Sequence, residues 1–445
     1  MENKKSIKYP KDFLWGTAVC SHQAEGHNIH SDWWEWEQEG KIEDGTVSGA
    51  AADMLNRYPE DFAFMKDLGL NAFRMSVEWA RIEPERGKYS KDALDHYERV
   101  FKELKKNNMK ICLTLYHWVL PKWVADRGGW TNPESVRWFR EFVRHVVYRF
   151  FDYVDLWCTL NEPSAPILAG YIGGLFPPEK KNPIEAAIAY KNLLHAHSEA
   201  ARLINEASVL RGAGTPLIGI AMALADIEPK NPGSVIDTKL HDVMRLIHNR
   251  LFLDAIKTGT PFPGGREIPG LKGSFTYIGV NYYTRFRLDI VPPRVYSRVE
   301  DLLYLPDGTE TTEMGYEVYP PGFYDVFKEM SRYEVPMYVT ENGIADSTDE
   351  KRPGYLLRHL AQMHRAIEDG MDIRGYFQWT YIDNFEWRYG FSKKFGIVAL
   401  EPDTLNRLPR RSAYMYGRIA SVGEITKELV REYAPQAESE IWGCA

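Results

Sequence analysis

The chain has 445 residues, 44% of them hydrophobic, and a net charge of −7 from 62 acidic and 55 basic side chains. No basic stripe indicates a nucleic-acid partner, and no apolar run is long enough to span a membrane. Residues 1–10 are polar and lysine-rich without the apolar core of a secretion signal, and the four cysteines show no disulfide or metal spacing, so a cytoplasmic location is expected.

Strand-like and helix-like stretches alternate along the chain. The predicted strands are 13–19, 71–77, 110–116, 154–160, 217–223, 277–283, 336–340 and 373–379. The clearest predicted helices are 59–68, 91–107, 133–151, 184–206 and 356–369, the first of them starting at Pro59 with two acids behind it. Eight strands alternating with helices, with no linker between them, predict an α/β fold with a single (β/α)8 TIM barrel domain over residues 1–445.

Polar and aromatic side chains collect where the predicted strands end. They are His117 and Trp118 after the third strand, Asn161 and Glu162 after the fourth, Asn281 to Tyr283 in the sixth, Glu341 after the seventh and Trp379 in the eighth. Barrel enzymes build their sites from the C-terminal ends of several strands. The pattern predicts an active site at the C-terminal mouth of the barrel.

Two of these side chains, Glu162 and Glu341, are carboxylates that would face each other across that mouth. One carboxyl that gives a proton and one that attacks or activates water are the minimum equipment for cleaving a glycosidic bond. The pair therefore predicts a glycosidase.

No metal and no cofactor are predicted. His195 and His197 could be read as a pair of metal ligands, but they lie in a predicted helix, where residues two apart do not share a face. A surface or packing role is the better interpretation.

The chain closely resembles glycoside hydrolase family 1, the retaining β-glucosidases and β-glycosidases, along nearly its whole length. The matching stretches are Phe13-Leu14-Trp15-Gly16-Thr17-Ala18, Gln23-Ala24-Glu25-Gly26, Arg74-Met75-Ser76, Leu115-Tyr116-His117-Trp118, Asn161-Glu162-Pro163, Gly279-Val280-Asn281-Tyr282-Tyr283, Thr340-Glu341-Asn342-Gly343 and Asp383-Asn384-Phe385-Glu386-Trp387. One departure is His22, which stands where a tyrosine is commoner.

The resemblance implies that Glu162 is the general acid/base and Glu341 the nucleophile, with Arg74 and Tyr283 supporting the nucleophile. It implies a double displacement with retention, for which the two carboxyls should lie roughly 5 Å apart. It also implies a pocket for the terminal sugar. The substrate-binding residues implied are Gln23, His117, Trp118, Asn161, Asn281, Tyr283, Trp379, Glu386 and Trp387.

The expected activity is that of an exo-β-glycosidase on small β-glycosides or oligosaccharides, with β-glucosides first and β-galactosides and β-fucosides as further substrates. A barrel that binds sugars without hydrolysing them is the alternative, but both glutamates are present. A phosphoglycosidase is a closer alternative, disfavoured because the charge of Glu386 would oppose a phosphate. The aromatic cluster Trp33-Trp34-Glu35-Trp36 fits a core or a pocket mouth equally well, and the oligomeric state stays open.

Overall fold

The computed structural model describes residues 6–288 and 305–443. Eight parallel strands, β2 to β9, close into a barrel in the order of the sequence. The strands of the described residues are β1 Ser6–Lys8, β2 Leu14–Ala18, β3 Ala72–Ser76, β4 Lys110–Thr114, β5 Leu156–Asn161, β6 Leu217–Pro229, β7 Tyr277–Leu288, β8 Met337–Asn342, β9 Ile373–Trp379, β10 Val398–Leu400, β11 Arg407–Pro409 and β12 Glu424–Thr426. The predicted (β/α)8 barrel is confirmed, with all eight predicted strands in the barrel.

Helices follow the barrel strands and cover the outside of the barrel. In the described parts of the chain they are α1 Ser21–Glu25, α2 Asp32–Gln38, α3 Met54–Asp67, α4 Trp79–Ile82, α5 Lys91–Lys106, α6 Lys122–Ala125, α7 Ser135–Phe150, α8 Ser164–Pro166, α9 Pro183–Arg211, α10 Val235–Arg245, α11 Leu251–Thr258, α12 Pro320–Met330, α13 Arg352–Glu368, α14 Arg411–Val422, α15 Lys427–Tyr433 and α16 Glu438–Trp442. Short π-helical turns at Ile167–Gly173 and Leu246–Arg250 interrupt two of the connections. Of these helices, none is long and apolar enough to cross a membrane.

The predicted helix start at Pro59 is wrong. Helix α3 begins at Met54, and Pro59 lies inside it. Proline has no N–H to donate, so the helix loses one backbone hydrogen bond there. The additional turn before Pro59 buries Met54 in the same core as Phe62 and Met65. This packing outweighs the preference of proline for the first turn of a helix.

Strands β6 and β7 run well beyond their predicted ends and stay paired to Pro229 and Leu288. Their outer parts carry opposite charges. Glu228 forms ion pairs with Arg285 at 3.1 Å and with Arg287 at 3.8 Å across the two strands. The apolar pattern marked only the half of each strand that lies inside the barrel, so the outer half was missed.

Strand β1 pairs antiparallel with β12 in a small sheet outside the barrel, in which Ser6 lies opposite Thr426. A second small sheet joins β10 to β11. One continuous apolar cluster links the barrel with its surrounding helices, from Ile7 to Ile441. That residues 1–445 form a single domain stays a prediction.

Candidate active site

Glu162 and Glu341 both lie at the C-terminal mouth of the barrel. Glu162 directly follows the last residue of β5, and Glu341 is the next-to-last residue of β8. Their exposed fractions are only 7% and 3%. Asn281 on β7 links them, because its Nδ2 donates to Oε1 of Glu162 at 2.8 Å while the residue itself pairs in register with Glu341. The structure therefore brings the two predicted carboxylates into one site.

The backbone is strained where three of the predicted site residues lie. Glu162 has φ +42°, Trp118 has φ +72° and Trp387 has φ +49°. Non-glycine residues rarely adopt this left-handed conformation, which costs on the order of 1 kcal/mol each, and such residues cluster at functional sites. Glu162 is fixed in its turn by its own N–H, which donates to the carbonyl of Ala221 on β6 at 2.8 Å.

Each carboxylate oxygen of Glu341 accepts a short hydrogen bond. Arg74 Nη1 donates to Oε1 at 2.6 Å, and the Tyr283 hydroxyl donates to Oε2 at 2.6 Å. Arg74 is fully buried on β3, so its charge acts with little screening by water. A cation and a hydroxyl donor stabilise an ionised carboxylate at this position.

Glu162 lies in the opposite environment. Burial raises the pKa of its carboxyl to about 8, with the negative charge of Glu341 adding to the effect and the hydrogen bond from Asn281 opposing it. Arg74 donates to Glu341 and Asn161, not to Glu162. Glu341 thus accepts from a cation and a hydroxyl, whereas the raised pKa of Glu162 favours its protonated form near neutral pH, as acid-assisted bond cleavage requires.

A network of buried amides holds the two carboxyls in register. Asn161 Oδ1 accepts from Arg74 Nη2 at 2.6 Å and from Asn281 Nδ2 at 3.2 Å. Thr340, the neighbour of Glu341, donates its hydroxyl to Asn281 Oδ1 at 2.5 Å. Glu341, Arg74, Asn161, Asn281 and Thr340 thus form one hydrogen-bonded unit that also reaches Glu162. Thr340 was not among the predicted site residues, although it lies in the matching stretch Thr340-Glu341-Asn342-Gly343.

The hydrogen bonds fix the tautomer of His117. An arginine can only donate, so Asn161 turns its oxygen to Arg74 and its Nδ2 to His117 Nε2, 2.9 Å away. His117 Nε2 must then accept, and burial, with the charge of Arg74, lowers the pKa of the ring well below its usual range. The neutral ring carries its proton on Nδ1, a buried atom with no protein partner among the described residues. This N–H is free to donate to a hydroxyl of a bound sugar.

Gln23 and Glu386 form a second polar pair. Gln23 Nε2 donates to Glu386 Oε2 at 3.2 Å and to the carbonyl of Phe385 at 2.8 Å. Its Oε1 is buried and has no partner in the described part of the molecule. Burial raises the pKa of Glu386 to about 8, and Glu341 adds to this rise while Gln23 opposes it. A largely protonated Glu386 can donate as well as accept, which weakens the charge argument against a phosphorylated sugar.

Aromatic rings enclose these polar groups. Trp387 packs against Trp118 with ring centres 4.8 Å apart and against Trp33 at 4.6 Å. Trp379 stacks on His117 at 6.1 Å. Gly343 permits this position of Trp379, because a Cβ at residue 343 would lie 1.7 Å from the Trp379 carbonyl oxygen. The structure thus brings all the predicted site residues together at the mouth of the barrel.

The aromatic cluster Trp33-Trp34-Glu35-Trp36 is buried only in part. Trp33 and Trp36 are buried and pack edge to face at 5.1 Å, whereas Trp34 is half-buried. Trp33 also contacts Phe176, which no sequence pattern had indicated. His22 stacks nearly parallel on Trp387, with ring centres 5.7 Å apart, and so packs against one of the predicted sugar-binding rings.

His195 and His197 lie on different sides of helix α9. His197 is buried and lies 2.6 Å from the Thr159 hydroxyl, whereas His195 is half-buried on another side of α9. Across residues 6–288 and 305–443, no group of three histidine, cysteine, aspartate or glutamate side chains could hold a metal ion.

A parallel barrel with two buried glutamates at its C-terminal mouth, surrounded by polar groups and indole rings that suit a sugar, defines a glycoside hydrolase. The model of glycosyl hydrolase family 1 matches residues 5–424. A β-galactosidase of Pyrococcus woesei is 32% identical, over 95% of this chain and 99% of the relative. A β-glucosidase A of Acetivibrio thermocellus is also 32% identical, over 93% of this chain and 98% of the relative.

Solved structures of β-glycosidases support the same family. A β-glycosidase from Pyrococcus horikoshii superposes with a TM-score of 0.86 at 36% identity, covering 96% of this chain and 98% of the other. The chain belongs to glycosyl hydrolase family 1, and it is an O-glycosyl hydrolase that acts on β-glycosides. The predicted family and activity are confirmed.

Proposed function

We propose that this enzyme is a retaining exo-β-glycosidase in which Glu341 is the nucleophile and Glu162 the general acid/base. One observation carries the assignment. Arg74 and Tyr283 donate to Glu341 at 2.6 Å each, whereas burial and the charge of Glu341 raise the pKa of Glu162 to about 8. A carboxylate that accepts from a cation and a hydroxyl is suited to attack, and a carboxyl with a raised pKa is suited to give a proton.

In the first step, Glu341 attacks the anomeric carbon while Glu162 transfers its proton to the glycosidic oxygen. The bond between the anomeric carbon and that oxygen breaks, the leaving group departs as a neutral alcohol, and an ester joins Glu341 to the sugar. Esterification removes the charge of Glu341, which after burial is the largest cause that raises the pKa of Glu162. Glu162 is therefore better able to stay ionised and act as a base next.

In the second step, Glu162 takes a proton from water as the water oxygen attacks the anomeric carbon. The ester bond breaks, Glu341 returns as a carboxylate, and the released sugar has the starting configuration. The amide network from Asn161 to Asn281 holds both carboxyls in place through both steps. The carboxyl separation of roughly 5 Å implied by a direct nucleophile stays a prediction.

The terminal sugar is proposed to bind between the polar groups and the indole rings. The free His117 Nδ1–H donates to one hydroxyl and the free Gln23 Oε1 accepts from another. The remaining Asn161 Nδ2 hydrogen lies beside the 2-hydroxyl, where hydrogen bonds strengthen in the transition state. Trp379 and Trp387 supply flat apolar surface for the C–H groups of the ring.

β-Glucosides are proposed as the first substrates, with β-galactosides and β-fucosides also hydrolysed. Relatives named β-glucosidase and β-galactosidase, at 32% identity, support the glucosides and galactosides of this range. A Glu386 carboxyl that can donate or accept serves either orientation of the 4-hydroxyl. The cytoplasmic location stays a prediction.

The experiment that tests the proposed course is proton NMR of the first product. During hydrolysis of a nitrophenyl β-glucoside, β-glucose should appear first, and α-glucose should follow only by mutarotation. A control with α-glucose added at time zero fixes the rate of mutarotation. Early appearance of α-glucose faster than that rate would contradict the double displacement.

The pH profile of kcat/KM should lose activity on its alkaline side. Glu162 must start protonated, so kcat/KM should fall as the pH rises through about 8, where burial and Glu341 place its pKa. The pKa of Glu386 is also raised to about 8, so its titration must be separated from that of Glu162. In Glu386→Gln the alkaline fall should persist, whereas in Glu162→Gln it should disappear for an activated substrate. The reverse result would give the acid role to Glu386.

The Glu386→Ser variant should lose about 1–3 kcal/mol of transition-state binding for glucosides, the usual cost of removing a buried hydrogen-bond partner of this kind. The loss should be smallest for a β-fucoside, which has no 6-hydroxyl. The measurement is kcat/KM of wild type and variant on glucoside, galactoside, fucoside and 6-phosphoglucoside. Among the described side chains, Gln23 is the one hydrogen-bonded to Glu386. Gln23 is neutral, so it cannot offset the negative charge of a phosphate. A wild type that preferred the phosphorylated sugar would move the enzyme to the phosphoglycosidases.

A further inference from the structure

His22 is a fully buried histidine that the proposed reaction does not use. It directly precedes Gln23 on helix α1. Its ring stacks on the indole of Trp387, with ring centres 5.7 Å apart and ring planes 9° from parallel. Among the described rings that contact Trp387, the ring of His22 is the closest to parallel with it. His22 is therefore the ring best placed to set the plane of this indole.

Hydrogen bonds fix the orientation of the His22 ring. Asn28 Nδ2 lies 3.2 Å from His22 Nδ1 and also donates to Glu78 Oε2 at 2.8 Å. The backbone N–H of His22 donates to the other oxygen of Glu78 at 3.1 Å. An amide nitrogen can only donate, so Nδ1 accepts and the ring proton lies on Nε2. Burial, with the charge of Arg81, lowers the pKa of the ring to about 3 and keeps it neutral.

The Nε2–H of His22 has no hydrogen-bond partner among the described residues. Its neighbour is Glu37, whose Oε1 lies 3.6 Å away, beyond hydrogen-bonding distance. Glu37 is held in place by the backbone N–H and the hydroxyl of Ser48, the hydroxyl at 2.8 Å. A buried donor without a partner costs free energy. His22 thus forgoes a hydrogen bond to Glu37 in the position in which it stacks on Trp387.

Trp387 lies in a part of the chain that needs external support. Its left-handed backbone, with φ +49°, is strained, and such a residue persists only where its surroundings hold it. His22 also packs edge to face on Phe385, with ring centres 6.2 Å apart. Phe385 and Trp387 flank Glu386, which is itself a proposed sugar contact. His22 therefore contacts the chain on both sides of Glu386.

We propose that His22 is a positioning residue for sugar binding, whose ring holds Trp387, and with it the neighbouring Glu386, where the terminal sugar binds. The inference rests on the proposed sugar pocket, because Trp387 and Glu386 contribute here only as groups that contact the sugar. His22 takes no part in proton transfer, since no hydrogen bond of the described chain joins it to Glu162 or Glu341.

The test measures sugar binding without turnover. Calorimetry gives the Kd of deoxynojirimycin, a glucose-shaped amine, for the wild type and each variant. His22→Ala should raise this Kd by about five- to tenfold, the size expected from the loss of one aromatic stack. His145, an exposed histidine that stacks on Tyr89 outside the barrel, offers a matched control, and His145→Ala should leave the Kd unchanged. A wild-type Kd in His22→Ala would overturn the proposal.

His22→Phe separates the stack from the stability of the fold. Phenylalanine keeps a flat ring for Trp387 but accepts nothing from Asn28, so this variant should lose melting temperature and keep its Kd within about twofold of the wild type. His22→Ala should lose both melting temperature and affinity. If the phenylalanine variant lost as much affinity as the alanine variant, the ring would not be what holds Trp387, and the proposal would be wrong.

A double-mutant cycle with Trp387→Ala tests the route of the effect. If His22 acts through the indole, its removal should cost no further affinity once the indole is gone, whereas additive losses would contradict the positioning role. An unaltered Kd in Trp387→Ala alone would overturn the sugar pocket together with the inference that rests on it. Failure of the roles given to the two catalytic glutamates would look different, because it would change the configuration of the product and leave these Kd values as expected.

Discussion

Glu341→Gly should lose hydrolysis by a factor on the order of 10⁴–10⁶, the range found when an enzyme loses its nucleophile. The substitution removes the group that accepts from both Arg74 and Tyr283, and no atom of the apolar core. The fold should therefore persist, which circular dichroism and a thermal melt can check. The measurement is kcat on nitrophenyl β-glucoside.

Added azide or formate should restore part of the activity of Glu341→Gly. A small anion can occupy the space left by the side chain, beside the Arg74 guanidinium, and attack the anomeric carbon from the same face. With azide the product should be an α-glycosyl azide, because a single displacement inverts the configuration. The matched control is Glu386→Gly, which should show no rescue. A Glu341→Gly variant with most of its unaided activity would disprove the nucleophile assignment.

Glu162→Ala should damage substrates according to their leaving group. An alkyl alcohol or a sugar needs a proton as it departs, so their hydrolysis should fall by about 10²–10⁴ in kcat/KM. A dinitrophenol departs with little protonation, so the first step on its glucoside should be nearly unchanged. Ester hydrolysis should then limit turnover, giving a burst of phenol and a reduced KM.

An external nucleophile should discriminate this effect from general damage to the pocket. Azide needs no general base, so it should accelerate turnover of dinitrophenyl glucoside by Glu162→Ala and give the β-glycosyl azide after two inversions. Asn281→Ala, which removes the donor to Glu162 but leaves the acid in place, is the comparison variant. Equal losses on activated and unactivated glucosides would refute the acid/base assignment.

The sequence predicted the barrel well, for a physical reason. Parallel barrel strands are buried on both faces, so each appears as a short apolar run that ends in polar site residues such as Asn161 and Glu162. Where charge or packing replaced that pattern, prediction failed. The outer half of β7 is held by pairs such as Arg285 with Glu228, and the first turn of α3 is held by burial of Met54.

The residues of the candidate site and the effect of Glu341 on Glu162 were predicted, but the burial around the carboxyls was not. Motifs located Glu162, Glu341 and Arg74, yet no motif indicates that burial raises the pKa values of both Glu162 and Glu386 to about 8. Those shifts depend on how many protein atoms surround each carboxyl, which the linear sequence does not contain. Phe176 was missed similarly, because an apolar side chain in an apolar stretch carries no local sign of accessibility.

Trapping of the glycosyl-enzyme tests the central claim most directly. A 2-deoxy-2-fluoro-β-glucoside with a dinitrophenyl leaving group should form the ester but hydrolyse it slowly, since the fluorine removes the 2-hydroxyl contact that stabilises the transition state. Intact mass spectrometry should show one sugar per chain, and peptide sequencing should find it on Glu341, with no adduct in Glu341→Gly. An adduct on Glu162 or Glu386, or no adduct from an enzyme that releases the inverted sugar, would contradict the mechanism.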